Sequence, residues 1–328
     1  MTTPAKTRKL KPAPVDDDSN EAAADTPAPK ARKPRAPAKP RTTTDVATPL
    51  QLGFWPDSVR GVPNAALRGA LFSISKERDM AKKRQRLAAV DGYQIIFKGE
   101  RFNQRDLDLW EMLLHIGRQQ AYGDSVEVVG KKLLEALDRG VGGTDYDELK
   151  EDIARLKAGS VEILFTDTNQ TFAGSLIQNF YRDEATQHYA IVFDAKMLKL
   201  YDSGYSHVDW EQRRKLKGDS LAKWLHGFYA THAAPMRYKV ATIRELCGST
   251  TGRLTDFRVA LRKALDKLKE VGAITSGSID PKTDLITVRR KGSVSQQRHL
   301  ENKLTAQANT DFLSSQNGTL DGFDSHSA

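Results

Sequence analysis

A chain of 328 residues with a formal net charge of +9 is long enough for two ordinary domains plus tails, and its charge favours a polyanionic partner. A single cysteine, Cys247, excludes an intramolecular disulfide and any multi-cysteine zinc site. No apolar run approaches the ~18 residues that cross a bilayer, and the amino terminus has no signal-peptide apolar core, so a soluble cytoplasmic protein with no membrane partner is expected.

Residues 1–49 hold 9 of the 13 prolines among Ala, Thr, Lys and Arg. Such a composition buries too little apolar surface to offset its ordering entropy, so a disordered basic tail is expected. Residues 50–62 open with LQLGFWPD, where Leu50, Leu52, Phe54 and Trp55 crowd together. That cluster fits either the first structured residues of a domain or a peptide that docks in another protein's groove.

Residues 63–205 read as a first domain. A helix is predicted from Ala65 toward Leu71 and Phe72, a strand over 93–98 (YQIIFK), and a helix from Gln104 to about Gln120, capped by Asn103, with Leu107, Trp110 and Leu114 on one face. A short helix over 131–137, the turn GVGG and a helix capped by Thr144 follow, the last with Tyr146, Leu149, Ile153 and Leu156 as its apolar stripe. Strands are predicted in VEILFT, FAGSLIQNFY and HYAIVF.

Residues 206–292 read as a second domain. After the basic run RRKLK at 213–217, Asp219 is expected to cap a helix through His232 that buries Leu221, Trp224, Leu225 and Phe228. A helix led by Thr242 carries Ile243 and Leu246 inward, and Gly248 permits the positive φ of a sharp turn. A second helix, with Thr255 as its N-cap, repeats Phe257, Leu261, Leu265 and Leu268 on one stripe and turns Arg258, Arg262, Lys263, Lys267 and Lys269 outward. Gly272 ends it before two strands, AITSGSI and DLITVRRK, that turn at Asp280 and Pro281.

Helix, turn, longer basic helix and hairpin is the pattern of a winged helix-turn-helix, whose second helix enters the DNA major groove; a solvated amphipathic helix pair would share only the basic face. The same order of helices, turn and strands in the first domain points to an internal structural repeat. The fold class expected is therefore α+β, two tandem winged helix-turn-helix domains between disordered amino- and carboxyl-terminal tails, the latter being residues 293–328.

The two copies differ in charge. Residues 206–292 hold 18 Lys and Arg against 9 Asp and Glu, whereas residues 63–205 hold 20 against 22. Phosphates repel an acidic helix such as 145–157, so the first domain is assigned a supporting DNA contact or dimerisation and the second is the main reader.

Arg253, Thr255, Arg258, Arg262 and Lys263 are the candidates for base edges, because Arg bidentate to guanine is the commonest specific contact. Lys282, Arg289 and Arg290 in the wing, with Arg213, Arg214, Lys215 and Lys217, are the candidates for phosphates. The sequence has no G-x-x-x-x-G-K-[ST] loop and no His-x-His pair, and GVGGT is not a dinucleotide fingerprint, so no catalytic residue, cofactor or metal site is expected.

The succession of WPD at 55–57, PN at 63–64, R-x-A-L-F at 68–72, LW at 109–110, W-x-x-x-R-K-L at 210–216 and LCGS at 246–249 resembles the TrfA-type plasmid replication initiators. The resemblance spans roughly residues 50–291 and implies binding to repeated origin sites (iterons) in double-stranded DNA, origin opening, and recruitment of the host replicative helicase and initiator. It also implies a monomer–dimer equilibrium in which monomers are active, and a Q-L-x-L-F-like peptide for the host sliding clamp at Gln51, Leu52, Gly53, Phe54 and Trp55. A dimeric winged-helix repressor and a rolling-circle nicking enzyme are the rival readings.

Overall fold

The computed structural model describes residues 55–119, 125–293, 296–298 and 305. The expectations for residues 1–49, for Gln51, Leu52, Gly53 and Phe54, and for nearly all of 294–328 lie outside the described residues.

The described chain opens with β1 (Val59–Pro63), the one-turn helix α1 (Asn64–Leu67) and β2 (Phe72–Ser73). Two long strands, β3 (Met80–Leu87) and β4 (Tyr93–Glu100), lead through β5 (Phe102–Asn103) into α2 (Gln104–Gly117). Next come β6 (Ser125–Val129), α3 (Gly130–Ala136) and α4 (Gly143–Ala158). They are followed by β7 (Ser160–Phe165), β8 (Gln170–Gly174), β9 (Asn179–Asp183) and β10 (His188–Val192). A connecting stretch holds α5 (Lys199–Asp202), β11 (Tyr205–Asp209) and α6 (Trp210–Lys215). The chain then forms α7 (Ser220–Ala230), β12 (Tyr238–Lys239), α8 (Val240–Leu246), α9 (Leu254–Glu270), β13 (Ser276–Ile279) and β14 (Leu285–Arg289).

Local chemistry sets most of these boundaries. Asn103 Oδ1 accepts the Arg105 N–H at 3.0 Å while Asp106 Oδ2 accepts the Asn103 N–H at 2.8 Å, a reciprocal cap that starts α2 where expected. Asp219 caps α7 by accepting the Ala222 N–H at 2.9 Å. Two expected caps are corrected. Asp145, and not Thr144, serves α4 by accepting the Gly142 N–H at 3.0 Å. Arg253 occupies the N-cap position of α9 without a side-chain cap, leaving Thr255 inside the first turn.

The helix expected over 65–72 stops after one turn, and the chain beyond it turns to Ala88, whose carbonyl accepts the Ala70 N–H at 2.7 Å and lies where a side chain at Gly69 would clash at 2.6 Å. FAGSLIQNFY is likewise not one strand: Leu176 and Ile177, wholly buried, separate β8 from β9.

The expected repeat exists in the order of elements. The series α2-β6-α3-α4-β9-β10 builds a three-stranded antiparallel sheet in the order β6-β10-β9, and α7-β12-α8-α9-β13-β14 builds one in the order β12-β14-β13. The counterpart of the β13–β14 hairpin is therefore β9–β10. The strands β7 and β8 leave that layer to complete a second sheet, β3-β4-β7-β8.

The expected break between residues 205 and 206 falls inside a strand, since β11 pairs with β1 from Pro63↔Tyr205 to Val59↔Asp209. Trp210 still packs in the first apolar cluster, and the second cluster begins at Leu216.

Between the clusters lies a buried charged junction. Arg213 Nε on α6 stands 2.7 Å from Asp108 Oδ1 and 2.6 Å from Glu111 Oε1, both on α2. Its terminal nitrogens donate to the Lys223 carbonyl at 3.1 Å and to Gln104 Oε1 at 3.2 Å. Lys223 closes the set at 2.5 Å from Asp108 Oδ2. Arg213 is 0% exposed, so the expectation that it holds a phosphate is corrected: its guanidinium is spent inside the protein.

Burial is the largest influence on both carboxyls. Arg213 and Lys223 outweigh it at Asp108, whose carboxyl is held below the usual range. Glu111, whose Oε2 takes no hydrogen bond, is pushed from 4.5 up to about 7. A carboxyl raised in the folded state stabilises the fold at low pH, and that contribution is lost between about 4.5 and about 7 as pH rises. The Glu111→Gln variant should accordingly match the parent in thermal unfolding at pH 4 and exceed it above pH 7. A tenfold change in proton affinity corresponds to about 1.4 kcal/mol, so the gap should be on the order of 3 kcal/mol.

Candidate nucleic-acid interface

α8 and α9 meet at a turn that only glycine fits. Gly248 has φ 63°, and a side chain there would stand 2.8 Å from Ser73 Cβ. Cys247 beside it is wholly buried, and burial pushes its thiol up to about 12, so it packs and does not react.

Below the turn, Phe257, Leu261, Ala264, Leu265 and Leu268 of α9 face the second apolar cluster. The opposite face carries Thr255, Arg262 and Lys263, all exposed, and neither base makes an ion pair among the described residues. Lys267, on the same helix, is held 2.9 Å from Asp219. Arg253 is 82% exposed at its side chain and reaches Asp256 at 2.9 Å.

Arg258 is placed differently from the expectation. Its Nε and Nη2 donate to the two oxygens of Asp284 at 2.7 and 2.9 Å, a bidentate pair that ties α9 to the tip of the β13–β14 hairpin. The pair holds the Asp284 carboxyl below its usual range, the Arg258 hydrogen bond being the largest cause. The tip is itself ordered: Asp280 Oδ1 accepts the Lys282 N–H at 2.8 Å, and the Asp280 carbonyl accepts the Asp284 N–H at 2.9 Å. Arg258 is thus a hairpin anchor and not a free base reader.

The remaining candidates divide in two. Lys282 and Arg289 are exposed on the hairpin. Arg290 is half-buried, donating to the His232 carbonyl and to Gln296 Oε1, each at 2.9 Å, which corrects its assignment to phosphate. Arg214 and Lys217 both face Asp138, at 3.6 and 3.1 Å, and Lys215 pairs with Glu211 at 3.1 Å. These three are exposed but already partnered.

Two cations outside the sequence-predicted set join the exposed ones. Arg237 and Lys239 flank the half-buried Tyr238 on β12, where Arg237 acts on Asp280 and Lys239 on Asp284 at the hairpin tip. An apolar residue between two bases is the only signal, and β12 is two residues long.

In the first half, α4 presents Asp147, Glu148 and Glu151 outward, Glu148 pairing with Arg105 at 2.5 Å. Its inner Asp152 accepts from Arg105 and Arg139 at 2.7 Å and from Arg155 at 2.9 Å. Among the described residues, no group of three or more His, Cys, Asp or Glu is placed to hold a metal ion, and no helix is long and apolar enough to cross a membrane.

Trp55 corrects the docking-peptide expectation at one position. It is 0% exposed, donates its Nε1–H to His115 Nδ1 at 3.0 Å, and stacks on Tyr201 at a centroid distance of 6.4 Å. His115 can accept because burial pulls it down to about 4, leaving it neutral. Gly61 makes room for the indole: a side chain there would lie 2.6 Å from the ring.

Trp55→Ala should cost about 3–5 kcal/mol, the range for truncating a buried aromatic, read as a lower urea midpoint; an unmoved midpoint would return Trp55 to the surface. Arg258→Ala should speed hydrogen exchange at the Asp284 amide, whereas Arg262→Ala should leave it unchanged.

A family model described as TrfA protein matches residues 43–290. Among curated proteins, the plasmid replication initiator protein TrfA of Escherichia coli is 23% identical over 244 residues, covering 72% of this chain. The chain in turn spans 63% of that relative's length. Among solved structures, domains 2 and 3 of RctB superpose with a TM-score of 0.45 at 10% identity, covering 63% of this chain and 86% of that one. The Pi initiator protein in complex with iteron DNA gives a TM-score of 0.42 at 12% identity, covering 56% and 93%. With the family pattern running through both element series and the junction between them, the chain belongs to the TrfA protein family.

Proposed function

We propose that this chain is a non-enzymatic, cytoplasmic initiator of plasmid replication that binds repeated sites in double-stranded DNA through two tandem winged-helix units. The observation that carries the reading is the exposed row of Thr255, Arg262 and Lys263 on α9, set beside a hairpin anchored by Arg258 and Asp284. A helix of this kind fits the major groove, where Arg and Lys donate to guanine edges. The hairpin with Lys282 and Arg289, and the strand with Arg237 and Lys239, lie to its side as phosphate contacts. Arg253 at the start of α9 adds a further donor, and Arg214, Lys215 and Lys217 contribute charge once their acids release them.

The outward acids of α4 make the first unit a poor groove reader, so it supports the complex or pairs with a second copy. Several copies on adjacent repeats supply the energy to deform a neighbouring AT-rich segment, which for one copy is a cost of several kcal/mol. The opened origin then receives the host helicase and initiator, with monomers as the active form. Clamp docking rests on Gln51, Leu52 and Phe54, without Trp55.

The test is to sequence the fragments that the purified protein retains from mixed plasmid and chromosomal DNA at about 150 mM salt, where phosphate-only binding is suppressed. Clustered direct repeats beside an AT-rich tract are the expected result, and isolated inverted repeats near promoters would identify a dimeric repressor instead. On the retained repeats, Arg262→Ala with Lys263→Ala should remove sequence preference, each base contact carrying about 1–3 kcal/mol. Asp147→Ala with Glu151→Ala should leave preference intact.

A further inference from the structure

The strand β3 lies outside the DNA contacts proposed for the second unit. It is an edge strand, hydrogen-bonded on one side to β4 in the order β3-β4-β7-β8. Its register is broken: Ala81 pairs with Gly99 and Gln85 with Phe97, so Lys82, Lys83 and Arg84 stand opposite the single residue Lys98. Such a bulge bends the strand and re-aims the side chains it carries.

All of residues 82–86 are exposed, as is Lys98. Arg84 reaches across β4 to Glu162 on β7. Lys82, Lys83, Arg86 and Lys98 make no ion pair among the described residues. Like charges set side by side on a sheet repel one another, and the bulge gathers them instead of dispersing them.

Cations on an edge strand also deter pairing with other chains, but a bulge achieves that alone and needs no cluster of unpaired bases. The strand's carboxyl end is anchored at the junction. Ala88 accepts the Ala70 N–H at 2.7 Å, the Val90 N–H donates to the Arg68 carbonyl at 3.0 Å, and Ala88 and Val90 pack against the second apolar cluster. The carboxyl end of the bulged strand thus meets the same apolar cluster that α9 and β14 line.

We infer that the bulge of β3 is a phosphate-binding rail for the same duplex that the second unit reads, with Lys82, Lys83 and Arg86 as its contacts. This rests on the proposed binding of double-stranded DNA and extends it to the first half of the chain, through a sheet that lies outside both repeated element series. Contact is to the backbone, so it is independent of base sequence.

The experiment measures full-chain binding to a random-sequence 40-base-pair duplex by fluorescence anisotropy from 50 to 200 mM KCl. Each phosphate contact contributes about 0.9 to the slope of log affinity against log salt, so Lys82→Gln, Lys83→Gln and Arg86→Gln together should flatten the slope by about 2.7. Lys82→Arg with Lys83→Arg should retain the parent slope, and the preference for retained repeats should survive in the Gln variant. The exposed positions should leave the thermal midpoint unmoved. A parent slope in the triple Gln variant would overturn the rail alone. So would equal flattening by Lys131→Gln, Lys132→Gln and Lys196→Gln, which remove the same charge elsewhere in the first half. Absence of duplex binding by the parent would overturn both readings.

Discussion

The buried guanidinium of Arg213 holds the two halves of this molecule together. It stands between Asp108 and Glu111 on α2, while its own helix α6 leads directly into α7. Burying charge costs several kcal/mol per ion, and removing the shared guanidinium would strand both carboxyls, so the cluster sets geometry more than it adds stability. Hydrogen bonds to backbone carbonyls repeat the same connection. Trp224 Nε1 donates to the Gly69 carbonyl at 3.1 Å, and Arg68 donates to the Thr231 carbonyl at 2.7 Å. Through these contacts α7 is fixed against the first half, and α8 and α9 pack on α7 in turn.

On that frame the two element series diverge in charge, besides the β7–β8 insertion of the first. Both place a short helix, a turn, a longer helix and a late hairpin around one three-stranded sheet order. α4 turns its inner Asp152 and Arg155 into a web with Arg78, Arg105 and Arg139, so polar groups do part of the work of its packing. α9 packs on its core through apolar residues and spends Arg258 on Asp284 and Lys267 on Asp219, which leaves Arg262 and Lys263 facing outward. The first helix is committed inward by charge, and the second is available.

How far this was legible in the sequence follows from the range of each interaction. The apolar stripe of α9, the Asn103 and Asp219 caps and the Gly248 turn are local, and periodicity and cap chemistry reveal them. Arg213 and Arg214 are adjacent in one basic run, and only the tertiary position of α2 decides that one is buried and the other exposed. Arg258 and Arg262 share a helical spacing, yet Asp284, 26 residues beyond the first, captures it. The strand β3 carries Ala81 and Leu87 near its ends with a charged interior, so no alternation announces it. Which hairpin joins which sheet is a pairing choice between distant strands, and VEILFT read alone fits either.

A rigid junction changes what the proposed DNA contacts can do. If α9 and its hairpin engage one stretch of duplex and the bulge of β3 meets phosphates of the same duplex, the second contact is intramolecular and its strength follows from geometry. Units joined by a loose linker would simply follow a straight helix axis. Units locked by Arg213 and Asp108 impose an angle, and a duplex that satisfies both must adopt it. The binding energy of the phosphate contacts is then available for deformation, at a cost that depends on the flexibility of the sequence being bent. The same buried cluster that sets the fold would thereby set the shape demanded of the origin.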